Sequence, residues 1–156
     1  MDTQKIKKLR EKLRILDRES GNVFENQEDC CGLTTAQCHT LLEVGERGPI
    51  SLNDLASHLG LDTSTLSRTV QGLVLLGLVD RQSNEKDRRS IVLSLTKAGR
   101  KVYDAIDRRY NDYFGRIMDL WPPERRSSIL ESIGAFADAV RSHNAKTGCC
   151  GRARKP

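Results

Sequence analysis

The sequence predicts a mainly α-helical fold with a small β-wing, and three features carry that prediction. Apolar residues recur at three- and four-residue spacing over most of the chain, which is the helical period. Cap residues and glycines punctuate this period closely between residues 33 and 77. One charged run, Arg81 to Arg89, separates two short segments of strand-like pattern, which reads as a hairpin. A length of 156 residues fits one domain, or a small module with helical extensions.

Each element can be justified in order. Ile6, Leu9, Leu13 and Leu16 form an apolar seam on an otherwise charged first helix. From Gly21 to Gly32 a polar, acidic stretch ending in Asp29-Cys30-Cys31-Gly32 reads as a loop. Thr34 is the expected N-cap of a second helix, with Gln37 completing a capping box, and Gly48-Pro49 ends it. Ser51 and Asp54 form the same kind of signal for a short third helix, whose Leu52, Leu55, Ala56 and Leu59 follow the i, i+3, i+4, i+7 stripe to Gly60. Asp62 or Thr63 caps a fourth helix that runs to about Gly77.

Leu78 and Val79 begin a first strand, Arg81 to Arg89 forms the turn, and Ser90 to Leu95 is a second strand with Ile91, Leu93 and Leu95 on one face. Thr96 caps a long fifth helix with Val102, Tyr103, Ile106, Tyr110, Phe114 and Ile117 on its apolar side. Pro122-Pro123 breaks the chain, and a last helix shows Ile129, Ile133, Phe136 and Val140. This order is a winged helix-turn-helix with N- and C-terminal dimerisation helices. The expected division is 1–32 for the first helix and its loop, 33–99 for the winged unit, 100–144 for the C-terminal helices, and 145–156 for a basic tail.

Charge and composition bound the function. The net charge of +5 comes from the two ends: Lys5, Lys7, Lys8, Arg10, Lys12 and Arg14 at one, Lys146, Arg152, Arg154 and Lys155 at the other. The middle of the chain is net acidic, so a claim of nucleic-acid binding must rest on local placement. The longest apolar runs, Leu73-Val74-Leu75-Leu76 and Ile91-Val92-Leu93, are far shorter than the ~20 residues of a membrane span. With no signal-peptide pattern, a cytoplasmic location is expected. No Ser-His-Asp set, paired carboxylates, phosphate loop or Gly-rich fingerprint appears, so an enzyme is not expected, nor an obligatory cofactor.

The fourth helix carries the functional signal. At 100° per residue, Ser64, Ser67, Arg68 and Gln71 share one face, while Leu66, Val70 and Leu73 lie opposite. Hydroxyls, an amide and a guanidinium are the groups that reach base edges and phosphates in a major groove. The free amides at the helix N-terminus are expected to favour a phosphate. In the wing, Asp87 and Arg89 share one side of an extended backbone, where an ion pair would stiffen the hairpin while Arg88 or Arg89 meets a minor groove. An ordinary solvated helix face and a solvated hairpin tip are the plain alternatives to these two readings. A winged helix used only for protein contacts is a further one.

Leu33-Thr34-x-x-Gln37, Leu52-x-Asp54-Leu55-Ala56, Ser67-Arg68-Thr69-Val70-x-x-Leu73, Gly77-Leu78-Val79-x-Arg81, and Asp87-Arg88-Arg89 followed by Leu95-Thr96-x-x-Gly99 together resemble the MarR family of bacterial transcription regulators. The resemblance runs through residues 33–99 in order and spacing, and the flanking helices match the family's dimerisation region. Val74 and Leu75 depart mildly, since the family often has a charge after the leucine matching Leu73. The resemblance implies a homodimer on double-stranded DNA, at a pseudo-palindromic operator, with repression relieved by a ligand or by cysteine chemistry. It also implies that Thr63, Ser64, Thr65, Ser67, Arg68 and Gln71 contact DNA from the recognition helix, with Arg81, Asp87, Arg88 and Arg89 in the wing.

Five cysteines in a reducing compartment read as buried thiols, metal ligands or redox groups. Cys38 lies near Leu41 and Leu42 on its helix and is more readily a packed thiol than a ligand, while His39 points away. Cys30-Cys31 and Cys149-Cys150 belong to no apolar stripe. If the fold brings them together, their thiolates suit a soft ion such as trivalent arsenic or antimony, or a d¹⁰ metal. Zinc held by Cys30, Cys31, Cys38 and His39 has no familiar spacing. Glu28 and Asp29 beside Cys30 oppose spontaneous thiolate formation, which favours a metal-driven response over oxidant sensing. A disulfide switch and an aromatic small molecule in the interdomain cleft are the other effector readings.

Overall fold

The structure is a computed structural model, which describes residues 2–25, 32–83 and 91–147. Its elements are α1 (Thr3–Glu25), α2 (Thr35–Arg47), β1 (Ile50–Ser51), α3 (Leu52–Leu59), α4 (Thr63–Leu75), β2 (Val79–Ser83), β3 (Ile91–Leu95), α5 (Lys97–Asp119), a 3₁₀ turn (Pro123–Arg125) and α6 (Arg126–Thr147). The chain forms two compact units, Met1–Asp104 and Ala105–Pro156. The architecture is the mainly α fold with a winged helix-turn-helix that the sequence predicts.

The helix starts are set by local hydrogen bonds. Thr34 caps α2 with a full capping box: its hydroxyl accepts from the Gln37 amide, and its own amide donates to Gln37 Oε1 at 3.0 Å. Ser51 caps α3 by accepting from the Asp54 amide at 3.0 Å. Here the box is only half formed, because the Asp54 carboxylate takes the Ser51 hydroxyl at 2.6 Å rather than a backbone amide. Gly60 ends α3 in the left-handed region at φ 65°, with its amide on the carbonyls of Ala56 and Ser57.

Three expectations need correction. The first helix continues through Gly21 to Glu25, where a loop is expected. One glycine costs a helix only about 1 kcal/mol, too little to stop an eighteen-residue run that is already nucleated. The hairpin turn does not begin at Arg81, since Arg81–Ser83 belongs to β2. The sheet also has three strands, in the order β1-β3-β2. All pairings are antiparallel, with Ile50 opposite Leu93 and Arg81 opposite the same residue from the other edge. Two residues are too few to show a strand period, so β1 becomes visible only through its partner.

The core of the first unit is Leu33, Cys38, Leu41 and Val44 around α2, Leu52, Leu55 and Ala56 on α3, Leu66, Val70 and Leu73 on α4, and Val79 and Leu93 from the sheet. Each large aliphatic side chain here is worth roughly 1.5–3 kcal/mol of burial. Thr40, also buried, returns its hydroxyl to the Ala36 carbonyl at 2.8 Å, so no polar atom is left unpaired there. By contrast, Ile6, Leu9, Leu13 and Leu16 on α1 are exposed, as are Leu130, Ile133, Phe136 and Val140 on α6.

The sheet and α5 are joined at one junction. Thr96 donates its hydroxyl to the Gly77 carbonyl at 2.7 Å and accepts from the Gly99 amide at 2.9 Å. Its own amide bonds the Leu78 carbonyl at 3.1 Å. A Cβ at Gly99 would lie 1.9 Å from that same carbonyl oxygen, so only glycine lets the first turn of α5 pass. This is the physical content of Leu95-Thr96-x-x-Gly99 and of Gly77-Leu78.

Candidate nucleic-acid interface

The site is built on α4. Leu66, Val70 and Leu73 are fully buried and pin one side of the helix to the core. Thr63, Ser64, Thr65, Arg68 and Gln71 are exposed, and Ser67 is half-buried. The division expected from the helical period therefore holds, with a greasy stripe inward and hydrogen-bonding groups outward. The turn before the helix orients it: the Leu61 amide reaches back to the Ala56 carbonyl at 3.0 Å, and Asp62 then caps α4.

The cap itself differs from the expectation of open amides. Asp62 Oδ1 accepts from the Thr65 amide at 2.8 Å and from the Ser64 hydroxyl, while Oδ2 accepts from Thr65 Oγ1 at 2.7 Å. The Ser64 hydroxyl first, then the hydroxyl and amide of Thr65, hold the Asp62 carboxyl well below its ordinary value near 3.8. A carboxylate thus occupies the place where a phosphate was expected, and it repels one. Asp62 is the residue of the site whose role beyond capping the sequence reading missed. The signal was present in Asp-x-Ser-Thr: a cap carboxylate followed at two and three residues by hydroxyls that can reach it.

Of the wing residues, Arg81 lies on β2 and is half-buried. Its neighbour Asp80 folds back to accept from the Arg81 amide at 2.9 Å and from Gln82 Nε2 at 2.7 Å. Asp87, Arg88 and Arg89 lie outside the described residues, as do Cys30, Cys31, Cys149 and Cys150. Cys38 is fully buried among Leu41 and Val44 on the core side of α2, and His39 is exposed. Among the described residues no group of His, Cys, Asp or Glu is gathered as a metal site, and no helix is long and apolar enough to cross a membrane.

Comparison with known proteins places this geometry. The sequence model of the MarR family matches residues 32–90, which contain α2, β1, α3, α4 and β2. The Bacillus subtilis (strain 168) regulator YfiV, described as an uncharacterised transcriptional regulator of helix-turn-helix type, is 25% identical over 110 residues, covering 70% of this chain and 69% of its own. A MarR-family regulator from Silicibacter pomeroyi is 28% identical, with a TM-score of 0.66 over 79% of this chain and 82% of that one. Streptococcus pneumoniae FabT, solved in complex with DNA, shares the fold at 19% identity, with a TM-score of 0.77 over 90% of this chain and 99% of FabT. With the family match lying on α2, α3, α4 and β2, the chain is similar to the MarR family of winged helix-turn-helix DNA-binding transcriptional regulators, a family of regulators and not of enzymes.

Proposed function

We propose that this chain is a homodimeric repressor that places two α4 helices in the major groove of a pseudo-palindromic operator and is released by a thiophilic metal or metalloid. The observation that carries the DNA reading is α4 itself, with Leu66, Val70 and Leu73 buried and Ser64, Arg68 and Gln71 exposed on the opposite side. Thr63, Thr65 and Ser67 complete the base-reading face, and Arg81, Asp87, Arg88 and Arg89 form the wing contact. FabT and Staphylococcus aureus MepR, which have this fold, are both described in complex with DNA. Dimer formation is supported by the exposed apolar seams of α1 and α6, which need a surface to bury against. Residues 1–32 and 100–144 would supply that surface, and 33–99 the DNA-binding unit.

The effector reading rests on thiol chemistry. Cys31 stands four residues before Thr35, the start of α2, and Cys149 two residues after Thr147, the end of α6. Thiolates from both pairs suit arsenite, antimonite or another soft ion, and a coupling of roughly 1–3 kcal/mol would shift the dimer away from the half-site spacing. Burial of Cys38 in the core supports assigning the ligand role to these four ahead of it.

The test is a fluorescence anisotropy titration of reduced protein on its own upstream DNA, with and without arsenite, antimonite, zinc, copper(I) and peroxide. Binding should fall steeply with salt, and Arg68→Ala and Arg89→Ala should each weaken it by roughly tenfold or more. Arsenite or antimonite should release the DNA, and Cys30→Ser/Cys31→Ser should abolish that release. A response to peroxide alone moves the mechanism to a disulfide, and insensitivity to every addition moves it to an aromatic ligand.

A further inference from the structure

We propose that Asp62 is a specificity-determining positioning residue: it draws the hydroxyl protons of Ser64 and Thr65 inward, so that both side chains meet DNA as hydrogen-bond acceptors and select bases that present an exocyclic amine. The inference deepens the reading of α4 as the helix that enters the groove, and rests on it. A serine or threonine hydroxyl has one proton to give and two lone pairs. The single proton of Ser64 goes to Asp62 Oδ1, and that of Thr65 to Asp62 Oδ2 at 2.7 Å. From these two side chains only lone pairs remain to face outward.

In the major groove, adenine N6 and cytosine N4 present donors, whereas guanine O6 and N7 and thymine O4 present acceptors. Every base pair carries one exocyclic amine in that groove, so Ser64 and Thr65 are matched to adenine or cytosine, and mismatched to guanine or thymine, on the strand that they touch. One turn further on, Arg68 carries only donors and suits guanine. Asp62 is held ionised by Ser64 and Thr65, so the arrangement persists across the physiological range of pH. Its negative charge also keeps this end of the helix off a phosphate and leaves it to the base edges.

Asp62→Asn separates this role from capping. Asparagine caps a helix as well as aspartate does, and its amide oxygen can keep the Thr65 backbone bond. Its amide nitrogen, however, would face Thr65 Oγ1 and donate to it, turning the Thr65 proton outward and converting that side chain from acceptor to donor.

A randomised duplex library should be selected with full-length wild type, Asp62→Asn and Thr65→Val, with thermal melting to confirm that all three fold. The position at which Thr65→Val flattens the preference identifies the base that Thr65 reads. Read on one fixed strand, Asp62→Asn should exchange the wild-type preference between an amine base (adenine or cytosine) and a keto base (guanine or thymine) by roughly fivefold. A shift in Asp62→Asn that stays within adenine and cytosine, or within guanine and thymine, on one strand overturns the proposal. An unchanged motif in Asp62→Asn overturns it equally, as does a motif that Thr65→Val leaves untouched. Failure of wild type to enrich any sequence removes the DNA reading of α4 itself, and this inference with it.

Discussion

At Gly99 the first turn of α5 passes so close to Leu78 that an added methyl carbon would sit 1.9 Å from the carbonyl oxygen. Backbone cannot yield cheaply, so Gly99→Ala should cost about 3 kcal/mol, read as a lower urea midpoint. Asp62 makes a contribution of a different kind, one that depends on pH. Hydrogen bonds from Ser64 and Thr65 depress its carboxyl in the folded state, so the unfolded chain binds the proton more readily. The stability it adds is present above the ordinary carboxyl value and is lost as pH falls below it. The gap in urea midpoint between wild type and Asp62→Asn should thus hold steady from about pH 7 to about pH 5 and shrink below about pH 4. A gap that is constant through the acid range would show that the carboxylate adds nothing beyond the cap.

Among the elements, α2 shows how local chemistry and packing converge. Thr34 and Gln37 exchange hydrogen bonds at the helix start, and the Gln37 side chain also covers Gly72 of α4, where a Cβ would meet its amide nitrogen at 2.6 Å. Thr34→Ala should cost about 1 kcal/mol in urea unfolding, and Gln37→Ala should loosen the α2–α4 contact as well as the cap. Such caps are legible in a sequence because they involve residues three apart. The limits of α1 and β2 were not, because one glycine does not stop a nucleated helix and a charged segment can still pair as a strand. β1 was invisible for a related reason: its identity depends on Leu93 and Val92, some forty residues away.

For the whole molecule, the proposed dimer makes the clearest demand. α1 leaves Leu13 and Leu16 exposed, and α6 leaves Ile133 and Phe136 so. If these seams bury against a second copy, Leu13→Glu and Phe136→Glu should each shift the protein toward monomer in sedimentation velocity. Operator affinity should fall along with the dimer, because a single winged helix reads only one half-site. A monomeric wild type that binds DNA with full affinity would sink this prediction.

Sequence alone determined the order of the helices and of the two wing strands, the caps, the buried stripe of α4 and the outward face opposite it. All of these follow from interactions within a turn or two of helix, so residue spacing is enough to reveal them. Tertiary structure decided the third strand and the closure of Gly99 onto Leu78. Both join segments distant in the chain, and no periodicity in the sequence encodes either of them.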